Sequence, residues 1–279
     1  MASSARPRLW TKNKPVDRLY AGTSGYAYAE WVAAGVYPAG THAAGMLPAY
    51  AEMFKATELN YTWYQMPKAR SLERMAAQVP RGFKFSVKLT RTMTHEVDKA
   101  GWIREVLTFR QAIAPLEAAS CLLCILVQLP PYFSRTPERR IYLAALLDEL
   151  SGLPVAVEFR HSSWVHDKVF YEFERRAVTL VTVDGPDLPG LFPRLDIVTN
   201  PRLFYLRLHG RNTQEWGSGN MQKQFDYNYS DAELTSFAGT ISNTLGPAAD
   251  IGAVFFNNHV RGQAPNNCRR LINILMSRS

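Results

Sequence analysis

Short apolar, β-rich runs recur along the chain, and each closes on polar groups: LYAGT (19–23), TELN (57–60), FKFSVK (83–88), ILVQ (125–128), LPVAVEFRHSSW (153–164), TLVTVD (179–184), FYLRLHG (204–210) and AVFFNNH (253–259). Helical signals fall between them. Residues 46–54 read as a first helix, Pro67 as the opening of a second, and 102–116 and 168–175 as others. Pro137 follows Thr136 at a first helical position, and Leu143, Leu146, Leu147 and Leu150 recur at helical spacing on the face turned to the sheet. Ser230-Asp231-Ala232-Glu233 has the form of a capping box, and Pro265 opens a last helix. One crossover breaks the rule: GPDLPGLFPRL, after the sixth run, holds three prolines and two glycines and predicts an irregular connection. The alternation predicts an α/β fold, a single (β/α)8 barrel of the TIM type with parallel strands over residues 19–279, preceded by a basic, extended lead-in over 1–18.

In such a barrel the site lies at the carboxyl ends of the strands. A spacing of two puts Glu158 and Arg160 on one face of the fifth strand, and Arg207 and His209 on one face of the seventh. The third strand alternates, with Phe83, Phe85 and Val87 on one side and Lys84, Ser86 and Lys88 on the other. A strand covered on both faces should be almost continuously apolar, so this polar set must pair internally or line a wet cavity. The strand ends assemble Glu158, Glu58, His209 and Asp184 as acid–base candidates. Arg160, Arg207 and Lys88 would grip an anion, with Asn60, Gln128, Asn258 and Tyr26 as further substrate contacts. A buried ion-pair network without catalytic purpose would use the same residue types. After the turn Gly22-Thr23-Ser24-Gly25, Tyr26, Tyr28 and Trp31 either stack on a ligand or cap the barrel. Residues 211–229, with Trp216-Gly217-Ser218-Gly219-Asn220, form the longest stretch without a clear element and predict a lid.

The 279 residues, 47% of them hydrophobic, suffice for one large core. The net charge of +8 sits at the two ends: residues 1–18 and 261–279 carry +4 each, and the chain between them is neutral. Those termini, with Arg211 and Arg261, support a rival reading as a nucleic-acid-binding or -processing barrel, by analogy of fold with abasic-site endonucleases. Cys121, Cys124 and Cys268 form no secreted framework, and CLLC lies inside an apolar run as wall or core. With no signal-type or bilayer-spanning run, a cytoplasmic protein off the membrane is expected. No zinc motif, P-loop or GxGxxG is present, and Lys and Arg beside the acids oppose a cation, so no metal ligands are assigned and any cofactor stays open. A retaining glycosidase needs two flanking carboxylates, and Gln128 and Arg207 stand where the largest barrel clan has them.

Taken in order, GTSGYAYAEW (22–31), ELNYTWY (58–64), FKFSVKLTRTMTH (83–95), LVQLPP (126–131), VAVEFRHSSW (155–164), FYLRLHGRN (204–212), FDYNYSDAEL (225–234) and VFFNNH (254–259) resemble the YecE-like family, domain of unknown function 72. The resemblance covers residue 19 to the end and implies a (β/α)8 barrel without a settled activity. The family's recurring polar positions fall on Glu58, Asn60, Lys88, Gln128, Glu158, Arg160, Asp184, Arg207, His209 and Asn258. The expected function is an acid–base enzyme of hydrolase or lyase type acting on a carboxylate- or phosphate-bearing small molecule. The nucleic-acid barrel and a non-catalytic interaction scaffold are the alternatives.

Overall fold

Each β-type run forms a strand: β1 Leu19–Ser24, β2 Ala56–Leu59, β3 Lys84–Lys88, β4 Leu122–Gln128, β5 Val155–Glu158, β6 Thr179–Asp184, β7 Leu203–Leu208 and β8 Ile251–Phe256. In the computed structural model, which describes residues 18–98 and 100–278, they pair in sequence order, all parallel, and β8 closes on β1. The predicted lead-in lies, but for Arg18, outside the described residues.

Closure divides the core in two. One apolar shell fills the space between strands and helices, with Phe85, Val87, Leu206 and Leu208 facing outward into it. A smaller cluster, including Ala56, Cys124, Leu126, Ala156, Val181, Tyr205, Ala253 and Phe255, fills the lumen. Lumen and shell alternate along each strand because successive side chains point to opposite faces.

Helices Ala43–Met53, Ala69–Ala77, Trp102–Ala118, Pro137–Glu149, Asp167–Arg176, Asp231–Thr240 and Gln263–Ser277 cover the outside. Pro67 does not open the second of these; it starts at Ala69, and Tyr61–Tyr64 forms a separate helical turn. Pro137 stands at the predicted first position after the Thr136 cap. The sixth crossover is irregular, as its prolines predict: residues 185–202 hold no helix, only an isolated bridge of Leu191 to His161. That segment itself covers β6. Thr182 Oγ1 donates to the Leu195 carbonyl at 2.9 Å, and the Leu180 amide donates to Thr199 Oγ1 at 2.9 Å.

Among the described residues no helix is long and apolar enough to cross a membrane. Cys121, Cys124 and Cys268 are free and buried.

Candidate functional site

The upper lumen holds a layer of buried polar side chains drawn from β1, β2, β3, β5 and β7. Arg207 is at its centre. Its Nη1 donates to Glu158 Oε2 and its Nη2 to Glu58 Oε1, each at 2.5 Å, and Ser24 Oγ lies 3.4 Å from Nη2. Both carboxylates are fully buried, and Arg207 is 2% exposed. Tyr205 donates to Glu58 Oε2 at 2.7 Å. A carboxylate only accepts, so the single tyrosine proton goes there, and Ser86 Oγ, 2.8 Å away, must be the donor to Tyr205. Cys124 Sγ, 3.4 Å from Ser86 Oγ, completes a relay into the lumen floor. The polar parity of β3 is thus explained in part by internal pairing: Ser86 joins this relay, and Lys84 donates to the Ser120 carbonyl at 2.6 Å.

Glu158 is held by a second guanidinium, since Arg160 Nε donates to its Oε1. Burial alone would raise the Glu158 pKa, but Arg160 and then Arg207 hold it well below the usual carboxylate range. Arg207 is raised in turn, its two carboxylates outweighing its burial. Arg160 Nη2 lies 3.0 Å from His209 Nε2. Guanidinium cannot accept, so His209 Nε2 carries the lone pair and Nδ1 the proton. Asn257, whose amide is 3.0 Å from Nδ1, must therefore turn its oxygen to the ring. Burial and then Arg160 push His209 down to about 3, so the ring is neutral at physiological pH.

Above this layer opens a cavity of about 630 Å³, the size of a small-molecule site. Its walls carry Tyr26, Tyr28, Glu58, Asn60, Trp63, Lys88, Gln128 and Arg160, and residues 216–225 reach over it with Trp216, Met221 and Phe225. The Lys88 ammonium stands over the Trp63 ring, 5.2 Å from its centre. Among the described residues it has neither ion pair nor hydrogen bond. Burial first, then Arg207, bring its pKa down to about 7. Asn60 Oδ1 is buried with no partner. Trp216 packs over Arg160 at 5.7 Å, so the segment predicted as a lid does line the mouth.

The model of the family described as protein of unknown function DUF72 matches residues 20–279. The chain belongs to that family. Among relatives, the UPF0759 protein YunF of Bacillus subtilis is 27% identical over 272 residues, covering 92% of this chain and 94% of its own. A DUF72 structure from Thermotoga maritima superposes with a TM-score of 0.84 at 33% identity, covering 92% of this chain and 98% of that one. One from Enterococcus faecalis gives 0.81 at 24%, covering 92% and 95%, and agrees in fold.

The DUF72 barrel gathers Glu58, Glu158, Arg160, Arg207, His209, Lys88, Asn60, Gln128 and Tyr26 around one mouth. It does not bring Asp184 and Asn258 into the lumen. On β6 the inward residues are Val181 and Val183, so Asp184 turns outward, where it binds Arg211 Nη2 at 2.7 Å and accepts from Tyr229 at 2.7 Å. Phe255 faces inward on β8, which puts Asn257 in the lumen and turns Asn258 out to the Tyr227 carbonyl at 2.7 Å and Asn267 Oδ1 at 2.8 Å. Trp31 is also structural, fully buried and donating to the His259 carbonyl at 2.8 Å, while Tyr28 stacks on the His259 ring. Ser24, Tyr205, Asn257, Trp63 and Phe225 were not singled out. Counting parity from Arg207 finds Tyr205, and counting from Phe255 finds Asn257; the two aromatic rings carry no comparable signal. Among the described residues no cluster of three His, Cys, Asp or Glu side chains could hold a metal ion.

Proposed function

We propose that this protein is an acid–base enzyme acting on a small carboxylate- or phosphate-bearing molecule bound at the barrel mouth. The observation that carries this reading is a charge imbalance. In the lumen Glu58 and Glu158 are matched by Arg207 and Arg160, which leaves the Lys88 ammonium at the cavity wall without a carboxylate of its own. A desolvated cation of that kind is completed by an anionic ligand. Arg160 supports the grip, since its Nη1 has no partner among the described residues while its other nitrogens hold Glu158 and His209.

The same geometry redistributes the acid–base roles. Glu158 is locked as a carboxylate and His209 as a neutral acceptor, so both act as positioning residues. Lys88, near 7, is poised to take up and release a proton at physiological pH. An open cavity favours a ligand site over a scaffold whose mouth is filled by its own side chains. Of the residues the nucleic-acid reading draws on, Arg211, Arg261 and Arg270 each meet an acid, Arg261 with Asp226 at 2.6 Å and Arg270 with Asp231 at 2.5 Å, while the basic residues before Arg18 lie outside the described residues.

The test is thermal stabilisation by inorganic phosphate, malate and pyruvate. Wild type should be stabilised by several degrees at pH 6 and less at pH 9, and Lys88→Met, folded, should lose the effect. Equal stabilisation of Lys88→Met, or none of wild type together with DNA binding that falls steeply with salt, would overturn the proposal.

A further inference from the structure

Resting on that reading of the mouth, we propose that Lys88 is a nucleophile: its amine condenses with the carbonyl of an anionic aldehyde or 2-oxo acid to form a protonated imine. Three features of the geometry meet at this side chain. It ends β3 at the wall of the large cavity, so its Nζ faces the space a substrate would occupy. It has no carboxylate or hydroxyl partner among the described residues, only the face of Trp63, so its lone pair is not committed once the proton leaves. The cations Arg207, on β7 across the barrel, and Arg160, just after β5, both bear on this amine, an arrangement that favours its free form as apolar burial does.

The groups acting on this amine come from four elements. Arg207 on β7 and Arg160 after β5 lower its proton affinity, Glu58 on β2 and Glu158 on β5 raise it, and His95, in the loop beyond β3, is itself depressed to about 4 by burial and then by Lys88. With burial the largest effect, the amine is about half deprotonated near pH 7.

The step balances without an added oxidant or reductant. The Nζ lone pair forms a bond to the carbonyl carbon, the π pair moves to oxygen, and one proton passes from the nitrogen to that oxygen to give a carbinolamine. The hydroxyl takes a second proton from solvent and leaves as water, and the nitrogen, keeping its remaining hydrogen, forms the protonated C=N. Asn60 Oδ1, buried and unpartnered at the cavity wall, is an acceptor available to the carbinolamine hydroxyl. The acid group of the substrate would lie toward Arg160. A protonated imine withdraws electrons from the adjacent carbon, so a bond at that carbon can break heterolytically, which specifies the lyase branch of the acid–base reading.

The experiment is reductive trapping of full-length protein with cyanoborohydride and pyruvate, glyoxylate or glycolaldehyde phosphate, followed by peptide mass mapping. The expected result is an adduct on Lys88 at least tenfold above that on exposed Lys68, Lys168 or Lys223, with trapping at Lys88 falling as pH drops below 6. Lys88→Arg keeps the charge but not the nucleophile, so it should retain stabilisation by phosphate and lose the adduct. Anion stabilisation in wild type with no preferential Lys88 adduct for any of the three probes would overturn the imine and leave the anion-binding reading intact. No stabilisation of wild type by phosphate, together with no preferential Lys88 adduct, would overturn both.

Discussion

Arg207 holds two buried carboxylates at once, and Glu158 in turn holds two guanidiniums, so neither residue can be changed without stranding a charge. Breaking a buried pair by removing one partner costs about 3–5 kcal/mol, whereas removing both with apolar replacements costs far less. Glu158→Gln is therefore expected to lower the unfolding free energy in urea by about that amount. Because Arg207 also holds Glu58, adding Arg207→Met should cost less in the Glu158→Gln background than in wild type without restoring wild-type stability, and that coupling is read in a double-mutant cycle. If Glu158→Gln keeps wild-type stability, the carboxylate is not the partner that holds Arg160 and Arg207 in place. Lys88 behaves oppositely. Lys88→Met removes a desolvated, unpaired ammonium and should leave stability unchanged or higher while abolishing anion binding, as expected of a residue kept for function at some cost in stability.

At the level of elements, the mouth is covered by residues 211–229, and what anchors them is a chain of acids and bases outside the lumen. Arg211 bridges Asp184 at the end of β6 to Glu233 in the first turn of helix Asp231–Thr240, and Tyr227 donates to the same Glu233 oxygen at 2.7 Å. The other Glu233 oxygen closes the capping box on the Ser230 amide at 2.8 Å. Two substitutions separate these duties. Ser230→Ala should cost about 1 kcal/mol through the helix alone. Glu233→Ala should cost more and also speed amide hydrogen exchange across 211–229; unchanged exchange there would mean the segment is held by something else. This anchoring was only half legible. Serine, aspartate and glutamate at capping spacing announce a helix start, and the prolines after β6 announce an irregular crossover. Asp184 and Asn258 take the outer face because β6 and β8 are buried on both faces and show no polar–apolar alternation, β6 carrying a threonine on each face, so nothing in the pattern marks which side their last polar residue takes. Where alternation exists, as at Lys84, Ser86 and Lys88, the inward face could be read directly. Trp63 and Phe225 reach the cavity from outside the strands, on a helical turn and in the 211–229 segment, whose geometry no periodicity encodes.

For the whole molecule, the buried titrations add to a stability profile tilted toward alkaline pH. Glu158 sits well below its ordinary value, so its contribution is full above the usual carboxylate range and is lost as pH falls through the folded value. His209, depressed to about 3, acts in the same direction over a higher window: below about 6.5 the unfolded chain takes up a proton that the folded ring refuses. Stability should then fall toward acid by up to about 1.4 kcal/mol per pH unit for this one group. Lys88, lowered to about 7, extends the rise, because between about 7 and 10.5 the unfolded lysine keeps a proton that the folded amine has released. The buried thiols of Cys124 and Cys268 and the phenols of Tyr50, Tyr205 and Tyr229 impose the upper limit. Burial raises all five, so the unfolded chain loses thiol protons above about 8.5 and phenolic protons above about 10 that the folded chain retains, and stability declines there. Urea midpoints measured from pH 4 to 11 should accordingly peak near about 8.5–9 rather than between 5 and 8, where such maxima usually lie. His209→Gln should flatten the acid limb between about 4 and 6.5, and Lys88→Met the climb above 7. A wild-type maximum near neutrality that Lys88→Met does not move would mean that Lys88 stays protonated in the native state, leaving the mouth with a fixed cation in place of a titrating amine.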